Sequence, residues 1–260
     1  VKSTQYSLQV EAVHGAEEER GALERLLKSR IEGLFCCNIN PASEADEFFK
    51  LATERYGVAL ASNNCSFSFP HARIESDNST AVMSLMEHLV GLGHRQIAHI
   101  GGDRSSGVSR ERSEAFLRAV EHFNLKLDEC PLRFSNWELD QARTTARQLL
   151  EFSEPPTAIL CVSDTIAACV LQVANELNLK VPSELSVVGI TNEHMSQLTV
   201  PSLTTVAIPC EEIGHAGMLA LIDLIESKRE IATQEITRYP CTPIFRDSSA
   251  AARSLLKATR

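Results

Sequence analysis

The segment H-L-V-G-L-G-H-R-Q-I-A-H-I-G-G, residues 88–102, decides the fold because it joins the end of a helix to a short apolar strand. Apolar residues at helical spacing predict a helix over 79–92, and the apolar run predicts a strand over 96–100. A second helix is predicted over 108–123. A nearly continuous apolar strand between two helices indicates a parallel sheet that is covered on both faces.

The same alternation extends in both directions along the chain. Further strands are predicted over 6–13, 31–37, 58–61, 157–162 and 186–190, and further helices over 16–29, 44–55, 139–151, 165–177 and 211–225. One open sheet would not use so many units, so we expect an α/β protein with two doubly wound parallel-sheet lobes. Two facing lobes would form a central ligand cleft that closes by a hinge motion.

Composition and charge restrict the classes of function. The chain has 260 residues, 43% of them apolar, and its net charge of −9 makes it a poor binder of nucleic acid by itself. No window approaches the roughly 18 apolar residues of a membrane span, and no signal peptide is recognised. The eight cysteines form no C-x-x-C pair, so we expect buried free thiols and a cytoplasmic location.

The sequence contains no recognisable set of residues for catalysis or for a metal. Gly101 and Gly102 follow a strand but lack the G-x-G-x-x-G spacing, which favours a tight turn over a phosphate site. His99 falls in the apolar strand and is interpreted as a core histidine, and His94 is not at ligand spacing with it. Neither H-E-x-x-H nor G-x-S-x-G occurs. We therefore expect no cofactor, no metal and no enzymatic activity.

An ordered set of motifs resembles the lactose-repressor family of sugar- and purine-responsive regulators. The motifs are D-N at 77–78, H-L-V-G-L-G-H-R at 88–95, Q-I-A-H-I-G-G at 96–102, S-R-E-R at 109–112, V-S-D at 162–164, V-P-S-E-L-S-V-V-G at 181–189 and P-S-L-T-T-V at 201–206. Their order and spacing agree with the family over essentially the whole chain.

The resemblance implies a periplasmic-binding-protein-like fold of type I. The expected amino-terminal lobe consists of 1–92 and 207–235, the carboxy-terminal lobe of 93–206 and 236–250, and a tail of 251–260. Family members also carry an N-terminal helix-turn-helix and a hinge helix that bind operator DNA. Neither is present in this sequence, and the first strand and most of the first helix of the amino-terminal lobe are also expected to be missing, because 6–13 matches the second strand.

The resemblance implies a function as the effector-binding core of such a regulator. A small molecule, a sugar or related metabolite, would bind in the cleft of a homodimer and control operator binding by the missing helix-turn-helix. No membrane contact is expected.

Arg112 and Trp137 are the leading candidates for ligand contact. Arg112 matches the arginine that reaches into the cleft in the family, and its fork of donors suits vicinal hydroxyls or a carboxylate. The alternative is a solvated helix arginine, which is our interpretation of Arg110. Trp137 matches a position where the family often places an aromatic ring over the ligand, and the alternative is an anchor for the following helix.

Two pairs of residues combine a candidate ligand role with helix capping. Ser163 matches a position that often contacts ligand, while Asp164 is expected to be mainly a cap. Asp77 and Asn78 lie near the cleft in the family pattern, although capping of the helix from residue 79 is the default interpretation.

Thr191 is the departure from the family pattern. The family usually has an aspartate here that accepts hydrogen bonds from sugar hydroxyls, whereas Thr191 offers one uncharged hydroxyl. Asn192 is the candidate that could compensate. This departure weakens the prediction of a standard neutral sugar.

Two other classes of function remain as alternatives. A solute-binding receptor of a transport system shares the two-lobed architecture, and a signal peptide upstream would favour it over a regulator. A doubly wound enzyme is permitted by fold analogy alone.

Overall fold

The computed structural model of the protein describes residues 6–13, 16–39, 43–65, 67–227 and 231–252. The described helices are α1 (Ala16–Lys28), α2 (Ser43–Tyr56), α3 (Asn78–Gly91), α4 (Gly107–His122), α5 (Leu139–Leu150), α6 (Asp164–Glu176) and α7 (Cys210–Ser227). The described strands are β1 (Gly33–Cys37), β2 (Ala59–Asn63), β3 (Ala72–Ser76), β4 (Ile97–Gly101), β5 (Leu132–Phe134), β6 (Ala158–Cys161), β7 (Ser186–Val188), β8 (Thr205–Ala207), β9 (Glu235–Tyr239) and β10 (Thr242–Ile244). The predicted tail lies outside the described residues from position 253 onward.

The chain divides into two compact units. Unit 1 contains the described residues up to Ile74 together with Gly214–Thr237, and unit 2 contains Glu75–Ile213 together with the described residues from Arg238 onward. The expected boundary after residue 92 differs from this division, which places α3 in unit 2. The reason is packing, because Leu85 on α3 shares a buried core with Phe116 of α4 and Leu160 of β6.

Unit 1 is built on a four-stranded sheet in the order β1-β2-β3-β9. β1 runs parallel to β2 and β2 runs parallel to β3. Helix α7 packs closely on β1, since a Cβ atom added at Gly33 would overlap the side chain of Leu221. The core on α1, α2 and the strands combines Leu23, Cys36, Phe49, Ala52, Leu60, Cys65, Phe67 and Phe69.

The prediction of a strand over 6–13 is wrong. The segment has no strand conformation, and the side chains of Leu8 and Val10 are 62% and 78% exposed. A strand requires a neighbour that pairs with its backbone N–H and C=O groups. Among the described residues β1 pairs only with β2, and the segment 6–13 joins no sheet, so its backbone lacks the pairing that a strand requires.

Unit 2 is built on a four-stranded parallel sheet in the order β5-β4-β6-β7. Every residue of β4, β6 and β7 is buried, because helices cover both faces of the sheet. Residues of α3 and α4 share one core with Ile97 and Leu160, whereas residues of α5 and α6 share another with Ile100 and Ile159. The α/β fold with parallel sheets in two units is thereby confirmed.

Several short strands were not predicted. They are β3, β5, β8, β9 and β10, of which β8 and β10 form a separate antiparallel pair. Three-residue strands such as β5 have too little periodicity to be recognised from sequence. The eight cysteines are all free and five are buried, in agreement with the expectation from the sequence.

Candidate functional site

The carboxyl ends of the four parallel strands form one edge of the sheet in unit 2. β5 ends at Phe134, β4 at Gly101, β6 at Cys161 and β7 at Val188. The segments that follow these strands carry most of the residues singled out in the sequence. In open α/β sheets this edge is where ligands bind, because the loops there converge and helix N-termini point towards it.

Arg112 is a buried cation on α4, and not a solvated helix residue. Arg112 is only 3% exposed. Burial lowers the pKa of its guanidinium to about 10, so the group stays charged at neutral pH. Nε donates to Oδ1 of Asn78 at 2.8 Å, and Nη1 donates to the carbonyl oxygen of Val162 at 2.6 Å. Both acceptors are neutral, and Nη2 donates to no described residue.

Asp77 and Asn78 have different roles. Asp77 caps α3, since its Oδ1 accepts from the backbone N–H of Thr80 at 2.9 Å and its Oδ2 accepts from the Thr80 hydroxyl at 2.7 Å. Asn78 holds Arg112 and is oriented by Glu111, to which its Nδ2 donates at 2.9 Å. The Asp77 carboxylate is therefore engaged in the cap, and Asn78 positions the guanidinium.

Trp137 lies at the ends of β4 and β5. Its ring packs directly on the backbone of Gly102, where an added Cβ atom would overlap the indole, and the residue remains 39% exposed. Trp137 and Asn136 have φ angles of 63° and 50°, so the loop turns sharply before α5 begins. Gly102 thus permits the approach of an aromatic ring, a role that the sequence interpretation as a tight turn did not identify.

Ser163 and Asp164 begin α6 in different ways. Ser163 caps the helix through a 3.3 Å bond from the N–H of Ile166, and its hydroxyl hydrogen has no acceptor among the described residues. Asp164 is buried, and burial raises the pKa of its carboxyl. Its oxygens accept from the Thr205 hydroxyl at 2.5 Å and from the N–H of Glu193 at 2.8 Å. Asp164 therefore holds the loop that follows β7 in place.

Thr191 and Asn192, the third and fourth residues after β7, are held by the backbone and by Arg246. Thr191 has a φ angle of 127°, and its N–H donates to the carbonyl oxygen of Val206 at 2.9 Å. Oδ1 of Asn192 accepts from Nη2 of Arg246 at 2.7 Å, so one end of this amide is already used.

Glu193 was missed by the sequence reasoning. Its carboxylate accepts from the hydroxyl of Thr165 at 2.9 Å and from that of Thr191 at 3.1 Å. An acidic residue two positions after the expected aspartate was the available signal, but the register of the loop could not be read from sequence.

The histidines and acidic residues do not combine into a metal centre in the part of the chain that the structure describes. His99 is fully buried against Phe116, with ring centroids 5.1 Å apart, and its Nδ1 donates to the carbonyl oxygen of Leu160. Burial lowers the pKa of His99 to about 4. It is a core histidine, as predicted, but not a fully satisfied one, since its Nε2 has no partner among the described residues. No helix within the described ranges is long and apolar enough to cross a membrane.

Comparisons of sequence relate the chain to periplasmic binding protein-like domains and to a transcriptional repressor. The family model of the periplasmic binding protein-like domain matches residues 86–249. The HTH-type transcriptional repressor CytR of Escherichia coli strain K12 is 30% identical over 178 residues, which are 68% of this chain and 52% of that repressor. The chain therefore spans about half the length of this relative.

Comparisons of structure agree with the sequence relatives. The lac repressor dimer bound to operator and the anti-inducer ONPF aligns with a TM-score of 0.78 at 23% identity, covering 92% of this chain and 81% of that chain. A LacI family transcriptional regulator from Enterococcus faecium with bound ribose aligns with a TM-score of 0.80 at 20% identity, covering 91% and 86%. At these identities the likeness shows the fold, and it confirms the expected type of core.

Proposed function

The chain belongs to the family of periplasmic binding protein-like domains, and we propose that it is the effector-sensing part of a DNA-binding transcription regulator. The observation that carries the sensing role is the buried guanidinium of Arg112, whose Nη2 has no acceptor among the described residues. A guanidinium N–H that is not used within the protein can donate to a ligand oxygen, and such a charge-assisted hydrogen bond is stronger than one between neutral groups.

The neighbouring groups favour a small ligand with hydroxyl groups. Ser163 offers a hydroxyl hydrogen next to Val162, the residue whose carbonyl oxygen holds Arg112. The exposed part of the Trp137 ring offers an apolar face on which a sugar ring or a base can stack. The structural neighbour from Enterococcus faecium contains ribose, which supports a sugar or a related metabolite as the effector.

DNA binding would reside in a segment outside this chain. With a net charge of −9 the chain by itself is a poor binder of a phosphate backbone, whereas the CytR relative is named as an HTH-type repressor. In this proposal two copies form a dimer in the cytoplasm, and the effector changes operator affinity by binding one conformation more tightly. Such coupling is typically about 1–3 kcal/mol.

A regulator is favoured over the two alternatives. The relative and the structural neighbours are named as transcription regulators, and none of those named here is a transport receptor. Repressors are not enzymes, and we assign the unpaired donors of the site to ligand sensing and not to turnover.

Isothermal titration calorimetry of the chain against D-ribose, D-glucose, D-galactose, adenosine and uridine tests the proposal. We expect at least one of these compounds to bind, and we expect Arg112→Gln to weaken its binding by tenfold or more, about 1.4 kcal/mol. Arg110→Gln, at an exposed position two residues earlier, is the matched control and should bind like the unmodified chain.

Because Arg112 also ties α4 to Asn78 and Val162, circular dichroism must show that the variant is folded. Binding of none of the five compounds, or equal binding by a folded Arg112→Gln variant, would contradict the proposal. In the full-length regulator, the compound that binds should also change operator affinity in a gel-shift titration.

A further inference from the structure

Two cysteines lie close to the places where the chain passes from one unit to the other. The chain leaves unit 2 after Ile213 and returns to it at Arg238. Cys210 comes just before the first of these places, as the first residue of α7, and Cys241 comes just after the second, directly before β10. Both cysteines belong to unit 2, and the proposed function uses neither of them.

The pairing of β8 with β10 brings Cys241 to the end of β8. Thr242 of β10 pairs with Ala207 of β8 in an antiparallel register. Cys241 precedes Thr242 and Ile208 follows Ala207, so Cys241 and Ile208 come opposite each other in this register. Both residues also pack against the same buried core, which agrees with this placement.

A tight turn keeps Cys210 next to Cys241. The N–H of Cys210 donates to the carbonyl oxygen of Ile208 at 2.8 Å, which closes a turn around Pro209. Because the chain folds back here, Cys210 stays at the end of the β8–β10 pair. Burial raises the pKa of the Cys241 thiol, the Arg112 guanidinium opposes this shift, and Cys210 adds to it because two thiolates repel each other. This repulsion agrees with two neighbouring sulfur atoms.

The two thiols differ in their access to solvent. Cys210 is exposed, so an oxidant in solution can reach its sulfur, whereas Cys241 is half-buried. Cys36 and Cys65 are also neighbours, since the Cys65 Sγ lies 3.5 Å from the carbonyl oxygen of Cys36, but both of these residues are buried. The pair of Cys210 and Cys241 therefore combines proximity with an accessible thiol.

We propose that Cys210 and Cys241 form a reversible disulfide when the protein meets a peroxide. The Cys210 thiolate attacks one peroxide oxygen, so that an S–O bond forms, the O–O bond breaks and hydroxide leaves as water with the thiol proton. The Cys241 thiolate then attacks the sulfenic sulfur, so that the S–S bond forms, the S–O bond breaks and a second water leaves. The two thiols together lose two electrons, which reduce the peroxide to water.

The disulfide ties together the outgoing and the returning connection of unit 2. It closes a loop of roughly 30 residues that contains α7 and β9. The returning connection also holds the start of α3, because the carbonyl oxygen of Tyr239 accepts from the N–H of Asp77 at 2.8 Å. Disulfides in cytoplasmic proteins are usually transient and redox-sensing. The modification thus places a redox-sensitive link beside the candidate site, and its test needs no effector.

The experiment treats the chain with hydrogen peroxide, blocks the remaining thiols with iodoacetamide and identifies disulfide-linked peptides by mass spectrometry. We expect a peptide that links Cys210 to Cys241 and disappears when dithiothreitol is added before blocking. Its yield should be equal at high and low chain concentration, because both sulfurs belong to one chain. Absence of this link, or a link whose yield falls on dilution, would overturn the inference and leave the proposed function untouched.

Serine variants test the order of the two steps. Cys241→Ser should lose the link and leave Cys210 as a sulfenic acid, which dimedone labels several-fold more than in the unmodified chain. Cys210→Ser, at an exposed position, should keep Cys241 as a thiol that iodoacetamide blocks. Cys37→Ser removes another exposed cysteine and is the matched control, which should form the link like the unmodified chain.

Two results with these variants would also overturn the inference. One is equal labelling by dimedone in Cys241→Ser and in the unmodified chain, because Cys241 would then not react with the sulfenic acid. The other is oxidation of Cys241 to the same extent in Cys210→Ser, because Cys210 would then not be the thiol that the peroxide reaches first. Circular dichroism checks that each variant is folded.

Discussion

The central strands of the unit 2 sheet and the edge strand β1 of the unit 1 sheet are buried to different extents. In unit 2 every residue of β4 and β6 is buried, with two helices on each face of the sheet. In unit 1 only Cys36 of the five residues of β1 is buried, and the alternating segment 6–13 belongs to no strand. The difference shows that a strand is completely buried where strands flank it on both sides and helices cover both faces, and less so at the edge of a sheet.

This contrast also explains why the candidate site lies in unit 2. A ligand site requires side chains held within fractions of an ångström, and such precision depends on rigid elements beneath them. Arg112 and Asp164 are buried on helices that pack on the covered strands β4 and β6, and Ser163 is buried at the N-cap of α6. The strained Thr191 is held by β8, since its N–H donates to the carbonyl oxygen of Val206.

The largest effect is expected from removing a core side chain in each sheet. Leu160 on β6 is fully buried, so Leu160→Ala should lower the free energy of unfolding by about 2–5 kcal/mol. Leu34 on β1 is half-buried, and Leu34→Ala should cost clearly less because fewer contacts are lost. Urea unfolding followed by circular dichroism measures both, and equal losses would break the comparison between the sheets.

A pH titration of stability compares a buried histidine in each unit. Burial lowers the pKa of His99 from 6.5 to about 4, so its stabilising contribution is present above pH 6.5 and is lost as the pH falls towards 4. The full change corresponds to about 3 kcal/mol. His99→Gln should therefore show a flatter fall in the free energy of unfolding between pH 6.5 and 4 than the unmodified protein.

His71 in unit 1 is the comparison for His99. Burial also lowers the pKa of His71, but both of its ring nitrogens have partners, the carbonyl oxygen of Phe69 and the hydroxyl of Ser62. His71→Gln should flatten the pH dependence less than His99→Gln does. His122→Gln, at an exposed position, is the control. The prediction is contradicted if the free energy of unfolding falls with pH equally steeply in His99→Gln and in the unmodified protein.

The smallest change in stability is expected from substituting two glycines whose backbones contact side chains. At Gly102 a Cβ atom would overlap the rigid ring of Trp137, so Gly102→Ala should cost about 1–3 kcal/mol and displace the indole. At Gly33 the overlap is with the flexible tips of Leu221 and Ile225, so Gly33→Ala should cost less. Gly91→Ala, with open space around it, is the control.

Because the protein contains one tryptophan, its fluorescence reports the displacement directly. An unchanged emission maximum in Gly102→Ala, with unchanged stability, would show that the ring is not held by the Gly102 backbone. If the emission maximum shifts, binding of the calorimetric panel by Gly102→Ala shows whether the position of the ring matters for the ligand.

Sequence motifs identified individual residues of the candidate site, but they did not identify the hydrogen-bond partners of those residues. The motif around 109–112 selected Arg112, and the structure shows that it is buried and held by Asn78 and Val162. For Asp77 the capping alternative describes the observed contacts, which a single sequence could not separate from a ligand role. Glu193 was not found, because the loop geometry that brings its carboxylate to Thr165 depends on contacts from β8 and α6.

The sequence by itself determined the alternation of helices and strands, the two-unit α/β architecture and the resemblance to the lactose-repressor family. These follow from local periodicity and from the order of short motifs, which need no knowledge of distant contacts. Only the tertiary structure decided that 6–13 forms no strand, that α3 belongs to unit 2, and that Arg112 keeps unpaired donors beside Ser163. Each of these depends on which residues pair or pack across long sequence separations, and periodicity along the chain carries no information about that pairing.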